Sequence, residues 1–491
     1  MQLNLSNIRY CYPQAEEPIL RGVSATFPEG WTGVVGDNGC GKTTIAKIAC
    51  GLIKPDEGSV SPHLVSAYCA QDATNAPANL EDFAVAYDRL ATHLRQVLDL
   101  KDDWLWRYES LSGGQQKRLQ VACALWIEPD VLVMDEPTNH VDATTRQEVF
   151  RALEGFGGIG ILISHDRVLL DELCGQCLFM ANGAATMRPG GYTQAAGQAA
   201  IERESSLRVR EDARREKKRI EREAQRRREA AARKEGKKSL AGIDKHDSDA
   251  RHKKRVAIVW GTDGIAAKQA GVMEARLARA SERLDQMRVE KRYDGNIWLD
   301  AMPSRRPVLV RLEACVLPLG ERYLSVPPLY VGRSDHIGLM GDNGCGKTTL
   351  VRRLVAHLPA GVPTLYIPQE PSDEQRREAY ARLRALHSNE RGRVLSIVAQ
   401  LNSEPKRLLE GDATSPGEMR KLMLALGILD SPELIIMDEP TNHLDLGSIE
   451  ALQRMLAAFP GALLLVSHDE VLLRAITQVT WRIERGVLAV S

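Results

Sequence analysis

Six short runs in this chain are apolar at nearly every position. Thr32 to Val35, Val131 to Met134 and Gly160 to Ile163 lie in the first half, and Ile337 to Met340, Leu434 to Met437 and Leu463 to Val466 in the second. A strand with one wet face alternates apolar and polar residues, so unbroken runs predict strands buried on both faces of a parallel sheet under packed helices. Helix-patterned segments follow at Ile45 to Ile53, Gln116 to Trp126 and Leu350 to Leu358, and a last strand-like stretch runs from Thr480 to Val490. The runs end in polar residues: Asp135-Glu136 and Asp438-Glu439 after two of them, Ser164-His165 and Ser467-His468 after two others. Those side chains emerge at the strand ends, where ligands sit in open α/β sheets.

The middle of the chain has a different pattern. Ile201 to Arg255 is almost free of aromatic and β-branched residues and carries about 21 basic against 12 acidic side chains, which is the composition of a long charged helix. Val272 to Val289 places Val272, Ala275, Leu277, Ala280, Leu284 and Met287 near helical spacing, and predicts a second helix packing back on the first as a hairpin. Gly236 to Gly264, with Lys237, Lys238, His246, Arg251, His252, Lys253, Lys254 and Arg255, would form the tip.

Between the apolar runs lies a repeat. Gly36-Asp37-Asn38-Gly39-Cys40-Gly41-Lys42-Thr43-Thr44 returns letter for letter as Gly341 to Thr349. Each copy is a G-x-x-x-x-G-K-T phosphate loop between a predicted strand and a predicted helix. Glycine is needed where the backbone curls so that successive amide N–H groups point inward at phosphate oxygens, and the helix that follows adds its positive end. Lys42 and Lys347 would reach the terminal phosphates, while Thr43 and Thr348 would offer hydroxyls to Mg2+. The spacing of unlike motifs repeats too. Lys42 to Ser112 is 70 residues and Lys347 to Ser415 is 68; Ser112 to Asp135 and Ser415 to Asp438 are both 23; Asp135 to His165 and Asp438 to His468 are both 30. Matching intervals of this kind mean a duplicated domain. Residues 1–195 form one copy, 303–491 the other, and 196–302 the basic helical linker.

Leu111-Ser112-Gly113-Gly114-Gln115 precedes a helical stretch. Serine followed three residues later by glutamine is a capping box, and the glycines leave the N–H groups of that helix end bare for an anion; a plain capped surface helix is the other reading.

Composition narrows the class. At 491 residues and 43% apolar content the chain can build two or three cores. No apolar run approaches the ~18 residues of a membrane helix, and Met1 to Asn7 lacks a charged and then greasy leader, so a cytoplasmic protein is expected. The nine cysteines are scattered, two of them inside the phosphate loops, which suits a reducing compartment. Cys174-Gly175-Gln176-Cys177 has redox or metal spacing, but without a second pair or a nearby histidine the expectation is packing. The formal net charge of zero averages over the basic middle.

Phosphate loop, Gln71, Leu111 to Gln115, Val131 to Glu136, Asp142 and His165 follow one another in the order and spacing of an ATP-binding cassette. The duplicated cassette without membrane spans, the charged connector, and Glu-Pro-Thr-Asn-His-(Val/Leu)-Asp at 136–142 and 439–445 resemble the ABC-F family, whose members act on the ribosome. The resemblance implies an α/β fold of two P-loop NTPase cassettes joined by a helical hairpin. It implies ATP and Mg2+ as ligands, with Asp135 and Asp438 orienting Mg2+ together with Thr43, Thr348, Gln71 and Gln369. Glu136 and Glu439 would polarise the attacking water, and His165 and His468 would hydrogen-bond the γ-phosphate. Gly36, Asn38, Gly39, Gly41 and Thr44, with Gly341, Asn343, Gly344, Gly346 and Thr349, would complete the nucleotide cradles. Tyr12 sits where cassettes place an aromatic to stack on adenine, or is an ordinary edge-strand tyrosine. Closing head to tail within a monomer, the cassettes would pair Lys42 with Ser415, Gly417 and Glu418, and Lys347 with Ser112, Gly113, Gly114 and Gln115.

The second copy departs from the pattern. Thr414-Ser415-Pro416-Gly417-Glu418 puts proline where glycine is usual, and Leu312 to Ser325 offers no counterpart of Tyr12, so unequal sites are expected. Between Gln71 and Leu111 about 40 residues leave no room for an extra helical arm. The basic tip is either a solvated charged surface or a contact for rRNA and tRNA phosphates; the resemblance favours the second. The expectation is an ATPase that binds the ribosome when closed on ATP, modulating translation or protecting it from antibiotics. Alternatives are the ATPase subunit of a membrane transporter and a DNA-handling ATPase.

Overall fold

The computed structural model describes residues 1–139, 141–236, 248–249, 252–253, 263–286, 302–403, 405, 408 and 415–491. One compact unit comprises Met1–Ala195 and Arg292–Ser491, and a second comprises Ala196–Lys291.

In the first cassette five parallel strands run in the order Ser66–Cys69, Val131–Asp135, Ile159–Ile163, Gly30–Gly36, Cys174–Ala181, and Ala184–Pro189 adds an antiparallel edge. Val131–Asp135 and Ile159–Ile163 are buried at every position, as their unbroken apolar runs require. A separate antiparallel sheet, Leu20–Pro28, Gln2–Tyr10, Glu57–Ser61, packs Leu3, Leu5, Ile8 and Phe27 with Ile45 and Ile48 of the helix Lys42–Ala49 and with Val133 and Ile161 of the parallel sheet. This core holds the start of that helix beside the ends of the parallel strands.

The second cassette repeats the order: Thr364–Ile367, Leu434–Asp438, Ala462–Val466, His336–Gly341, Val479–Glu484. The expected last stretch is a hairpin of Val479–Glu484 with Val487–Val490. The helices after the phosphate loops begin earlier than the apolar pattern suggested, at Lys42 and Lys347, because the lysine and threonines of the loop are themselves the first helical turn. For the same reason the helix expected from Gln116 starts at Gly113. Between Gln71 and Leu111 lie only the short helices Leu80–Val85 and Arg89–Val97 and two 3-10 turns.

The connector contains helices Tyr192–Gly236 and Asp263–Gln286. Lys217 Nζ donates to Ser281 Oγ at 3.0 Å and Arg228 pairs with Glu274 at 2.7 Å, so the two run antiparallel, and Ala224 and Met273 are buried. Along the first helix Glu204–Arg208, Glu211–Arg215 and Glu223–Arg227 form exposed i to i+4 pairs. Among the described residues no helix is long and apolar enough to cross a membrane. Most of the expected tip, Lys237, Lys238, His246, Arg251, Lys254 and Arg255, lies outside the described residues, as do Met287 and Val289.

Candidate functional site

Both phosphate loops turn into their helices at a left-handed glycine, Gly41 at φ 102° and Gly346 at φ 103°, an angle other residues rarely adopt. Lys42 Nζ donates to the carbonyls of Gly36 (2.8 Å) and Asp37 (3.1 Å), and Lys347 Nζ to those of Gly341 (2.6 Å) and Asp342 (3.3 Å). Each ammonium is thus folded back over its own loop, where a phosphate would compete for it. Thr43 Oγ1 donates to Asp135 Oδ2 at 2.9 Å and Thr348 Oγ1 to Asp438 Oδ2 at 3.1 Å, so hydroxyl and carboxylate stand together in both cassettes.

The next residue past each aspartate bends sharply. Glu136 and Glu439 have φ of 49° and 47°, and their N–H groups donate to Ile163 and Val466 of the neighbouring strands at 2.8 Å. Left-handed backbone at a non-glycine residue in both copies is strain held by the sheet edge. It turns each carboxylate toward the next strand, where Glu136 Oε2 accepts from the His165 N–H at 3.2 Å and Glu439 Oε2 from that of His468 at 3.4 Å. The other oxygens, Oε1 of each, are buried without a hydrogen bond, although His165 Nε2 and His468 Nε2 lie within 3.2 and 3.4 Å.

Burial pushes Glu136 up to about 8, opposed by Lys42 and reinforced by Asp135. Burial likewise pushes Glu439 up to about 7, opposed by Lys347. Burial and then Lys42 push His165 down to about 3, and burial and then Lys347 push His468 down to about 4. The imidazoles are therefore neutral near pH 7 and their contacts to the glutamates are not ion pairs. Lys347 Nζ lies 3.0 Å from His468 Nε2; an ammonium only donates, so that nitrogen accepts and the ring proton sits on Nδ1.

Ser112 and Ser415 cap the helices Gly113–Trp126 and Pro416–Ile428 through complete capping boxes with Gln115 and Glu418. Pro416 stands in the first turn, where an N–H has no intrahelical partner and proline is well tolerated. Gly417 is required by space, since a Cβ there would lie 2.5 Å from the His443 carbonyl. Thr414 lies outside the described residues.

A cleft of about 830 Å3 joins the two halves of the site. Lys42, Gln71, Glu136 and His165 line it together with Ser415, Pro416 and His443 of the other cassette, and Lys347, Gln369, Glu439 and His468 line its continuation. Ser112, Gly113 and Gly114 are not among its lining residues. Across the cleft Asn38 Nδ2 donates to the His443 carbonyl at 3.0 Å and Asn402 Nδ2 to Asp37 Oδ1 at 2.8 Å, the same Asn402 amide also donating to Asp445 Oδ1 of its own cassette at 3.2 Å. Arg167 NH1 donates to Gln453 Oε1 at 3.0 Å. Tyr12 stands just past its strand rather than in it, its hydroxyl 3.0 Å from Thr44 Oγ1 and its ring edge-on to Tyr10. In the second cassette Leu319 lines the cleft beside Gly346.

Several site residues were not among the sequence expectations. Tyr68 donates to Asp135 Oδ2 at 2.7 Å, and Tyr366 faces Asp438. Both stand three residues before the glutamines, Gln71 and Gln369, an equal offset that the repeat could have revealed. Asn402 carried no such signal. Among the described residues no cluster of histidine, cysteine and acidic side chains could hold a metal ion, and Cys174 and Cys177 are buried free thiols.

A family model described as ABC transporter matches residues 20–139 and 326–442, one copy in each half. The ribosome protection protein VmlR of Bacillus subtilis is 26% identical over 503 residues, covering 97% of this chain and 85% of VmlR. The tylosin resistance ATP-binding protein TlrC of Streptomyces fradiae is 26% identical over 565 residues, covering 99% of this chain and 98% of TlrC. Each half of the chain holds one ATP-binding cassette, and along nearly its whole length the chain is similar to these two proteins. The archaeal ribosome recycling factor aABCE1, solved in complex with the stalk protein aP1, shares the fold, with a TM-score of 0.63 at 18% identity over 97% of this chain and 87% of that one. Built from two such cassettes joined by a helical region, the chain binds ATP and is an ATP hydrolase.

Proposed function

We propose that this chain is an ABC-F protein that hydrolyses ATP at two composite sites and uses the closed, ATP-bound state to hold its basic connector against ribosomal RNA and tRNA. The observation that carries the reading is the cleft in which Lys42 of one cassette and Ser415 of the other line the same cavity. A γ-phosphate there would draw Lys42 off the Gly36 and Asp37 carbonyls and meet the capped helix end from the opposite side. Glu136 and Glu439 orient the attacking water, with carboxyls tuned close to neutrality as a general base requires. His165 and His468, held neutral, hydrogen-bond the γ-phosphate once the lysines have moved onto it, His468 then carrying its ring proton on Nε2 in place of Nδ1. The second site is the counterpart, Lys347 with Ser112 and Gly114.

The donor set fits Mg2+. Thr43, Asp135 and Gln71, and Thr348, Asp438 and Gln369, offer only oxygen ligands or water anchors, as a hard divalent cation prefers. When bound, Mg2+ would neutralise charge on the β- and γ-phosphates.

The ribosome as partner is supported by the name of VmlR, a ribosome protection protein similar to this chain across cassettes and connector. That name and the tylosin resistance in the name of TlrC favour protection of the ribosome against antibiotics. ATP can control that binding only if the closed form has the higher affinity. In ATP, the Glu136→Gln/Glu439→Gln protein is expected to lose turnover by about a hundredfold or more and to sediment with ribosomes. Equal sedimentation of variant and wild type, with and without ATP, rules the reading out. Expression is expected to raise the inhibitory concentration of such drugs; an unchanged concentration alongside ATP-dependent sedimentation points to a housekeeping translation factor.

A further inference from the structure

Five residues past Ser415, and inside the helix it caps, stands Arg420, only 3% exposed. Its guanidinium does not face the cleft. NH1 donates to the carbonyls of Glu439 (3.0 Å) and Asn442 (2.7 Å), and NH2 donates to the carbonyl of Gln369. Glu439 and Asn442 bound the strained turn that aims the Glu439 carboxylate; the Asn442 N–H closes that turn on the Glu439 carbonyl at 3.3 Å. Gln369 belongs to the segment after the strand Thr364–Ile367 that lines the cleft beside Lys347. One planar fork thus ties together the helix facing one nucleotide site and two segments that build the other.

The first cassette differs at the same offset. Lys117 stands five residues past Ser112 and is equally buried. Its Nζ donates to the carbonyls of Ala70 (2.8 Å) and Gln71 (3.0 Å) and to Gln120 Oε1 (2.9 Å). Three bonds exhaust an ammonium's donors, and none reaches the turn of Glu136. A compact point charge cannot bridge two segments as a five-donor guanidinium does.

We propose that Arg420 is a positioning residue for hydrolysis around Lys347: it fixes the Glu439 turn and the Gln369 segment, and it conveys to them the position of the helix that Ser415 presents to the site around Lys42. Among the described residues Glu136 has no equivalent brace, so coupling between the two sites runs more strongly in one direction. The proposal rests on the pairing of Lys42 with Ser415 and on Glu439 as base.

The test separates the sites. In Glu136→Gln protein, where turnover is left to Glu439, Arg420→Lys is expected to lower kcat at least about tenfold with KM for ATP within about twofold, because small misplacement of a reacting group is costly. In Glu439→Gln protein the same change is expected to lower kcat by less than about twofold. Arg420→Gln, shorter and uncharged, is the second variant and should show the same selectivity. Equal losses in both backgrounds, no loss in either, a rise in KM with kcat intact, or failure of both variants to fold overturns the proposal. The two single glutamate variants are assayed alongside. If neither lowers turnover, the reading of Glu136 and Glu439 as bases falls and this proposal with it; if they do and Arg420 is unselective, only this proposal falls.

Discussion

The two cassettes agree to the letter where they would touch phosphate and disagree in what stands behind it. Both loops read Gly-Asp-Asn-Gly-Cys-Gly-Lys-Thr-Thr, both glutamates sit in left-handed turns, and the five parallel strands follow the same order in both sheets. The foundations differ, and they differ in pairs. At the base of the loop strand the first cassette has Trp31, whose Nε1 donates to the Leu153 carbonyl at 3.0 Å, over Gly160. The second has His336, with both ring nitrogens 3.1 Å from the carbonyls of Ile476 and Phe459, and Leu463 in place of the glycine. A large ring over a glycine and a small ring beside a leucine fill comparable space. The lesson is that chemistry constrains single residues, whereas packing constrains only sums, so duplicated cores drift by compensated exchange.

The largest expected effect comes from breaking one such pair. A Cβ at Gly160 would lie 2.4 Å from the Trp31 ring, so Gly160→Leu should destabilise the first cassette by about 3 kcal/mol or more. Adding Trp31→His should recover most of the loss. Thermal unfolding of the two proteins decides the matter, and an unrescued double variant means that the pairs are not interchangeable.

A smaller effect is expected from the buried glutamates in nucleotide-free protein. A carboxyl whose folded value is raised contributes stability that is fully present below its ordinary 4.5 and is lost as pH rises through the folded value, about 8 for Glu136 and about 7 for Glu439. Glutamine at either position should therefore raise the melting temperature relative to wild type by a few degrees at pH 9 and by almost nothing at pH 5. In both variants the advantage should grow as pH rises above about 4.5 and should level off about one pH unit earlier, at a smaller size, for Glu439→Gln; a melting advantage flat across pH contradicts the assignment.

The smallest concerns adenine. Tyr12→Leu gives the first site the aliphatic wall that Leu319 provides in the second. An aromatic contact is worth about 0.5–1.5 kcal/mol beyond its area, so nucleotide affinity at the Lys42 site should fall about three- to tenfold. Titration with a fluorescent ATP analogue in Lys347→Ala protein measures it, and an unchanged affinity removes Tyr12 from the site.

Much of this was legible before any coordinates. Val131–Asp135 and Leu434–Asp438 are buried along their whole length because an unbroken apolar run has no face to offer water. The equal intervals between Ser112, Asp135 and His165 and between Ser415, Asp438 and His468 marked the duplicated site, since a phosphate cradle tolerates few geometries. Tyr68 and Tyr366 were missed although they obey the same repeat, because a tyrosine in a short strand reads as packing.

Local composition by itself determined the strands, the phosphate loops, the helix caps at Ser112 and Ser415 and the charged connector helices, because each depends on neighbours within a turn or two of chain. Only the tertiary structure decided that Asn38 meets His443, that Asn402 reaches Asp37, and that Arg420 braces the turn of Glu439. Those contacts join residues that are far apart or oddly spaced in the chain, and a hydrogen bond to a backbone carbonyl leaves no trace in the identity of the residue that accepts it.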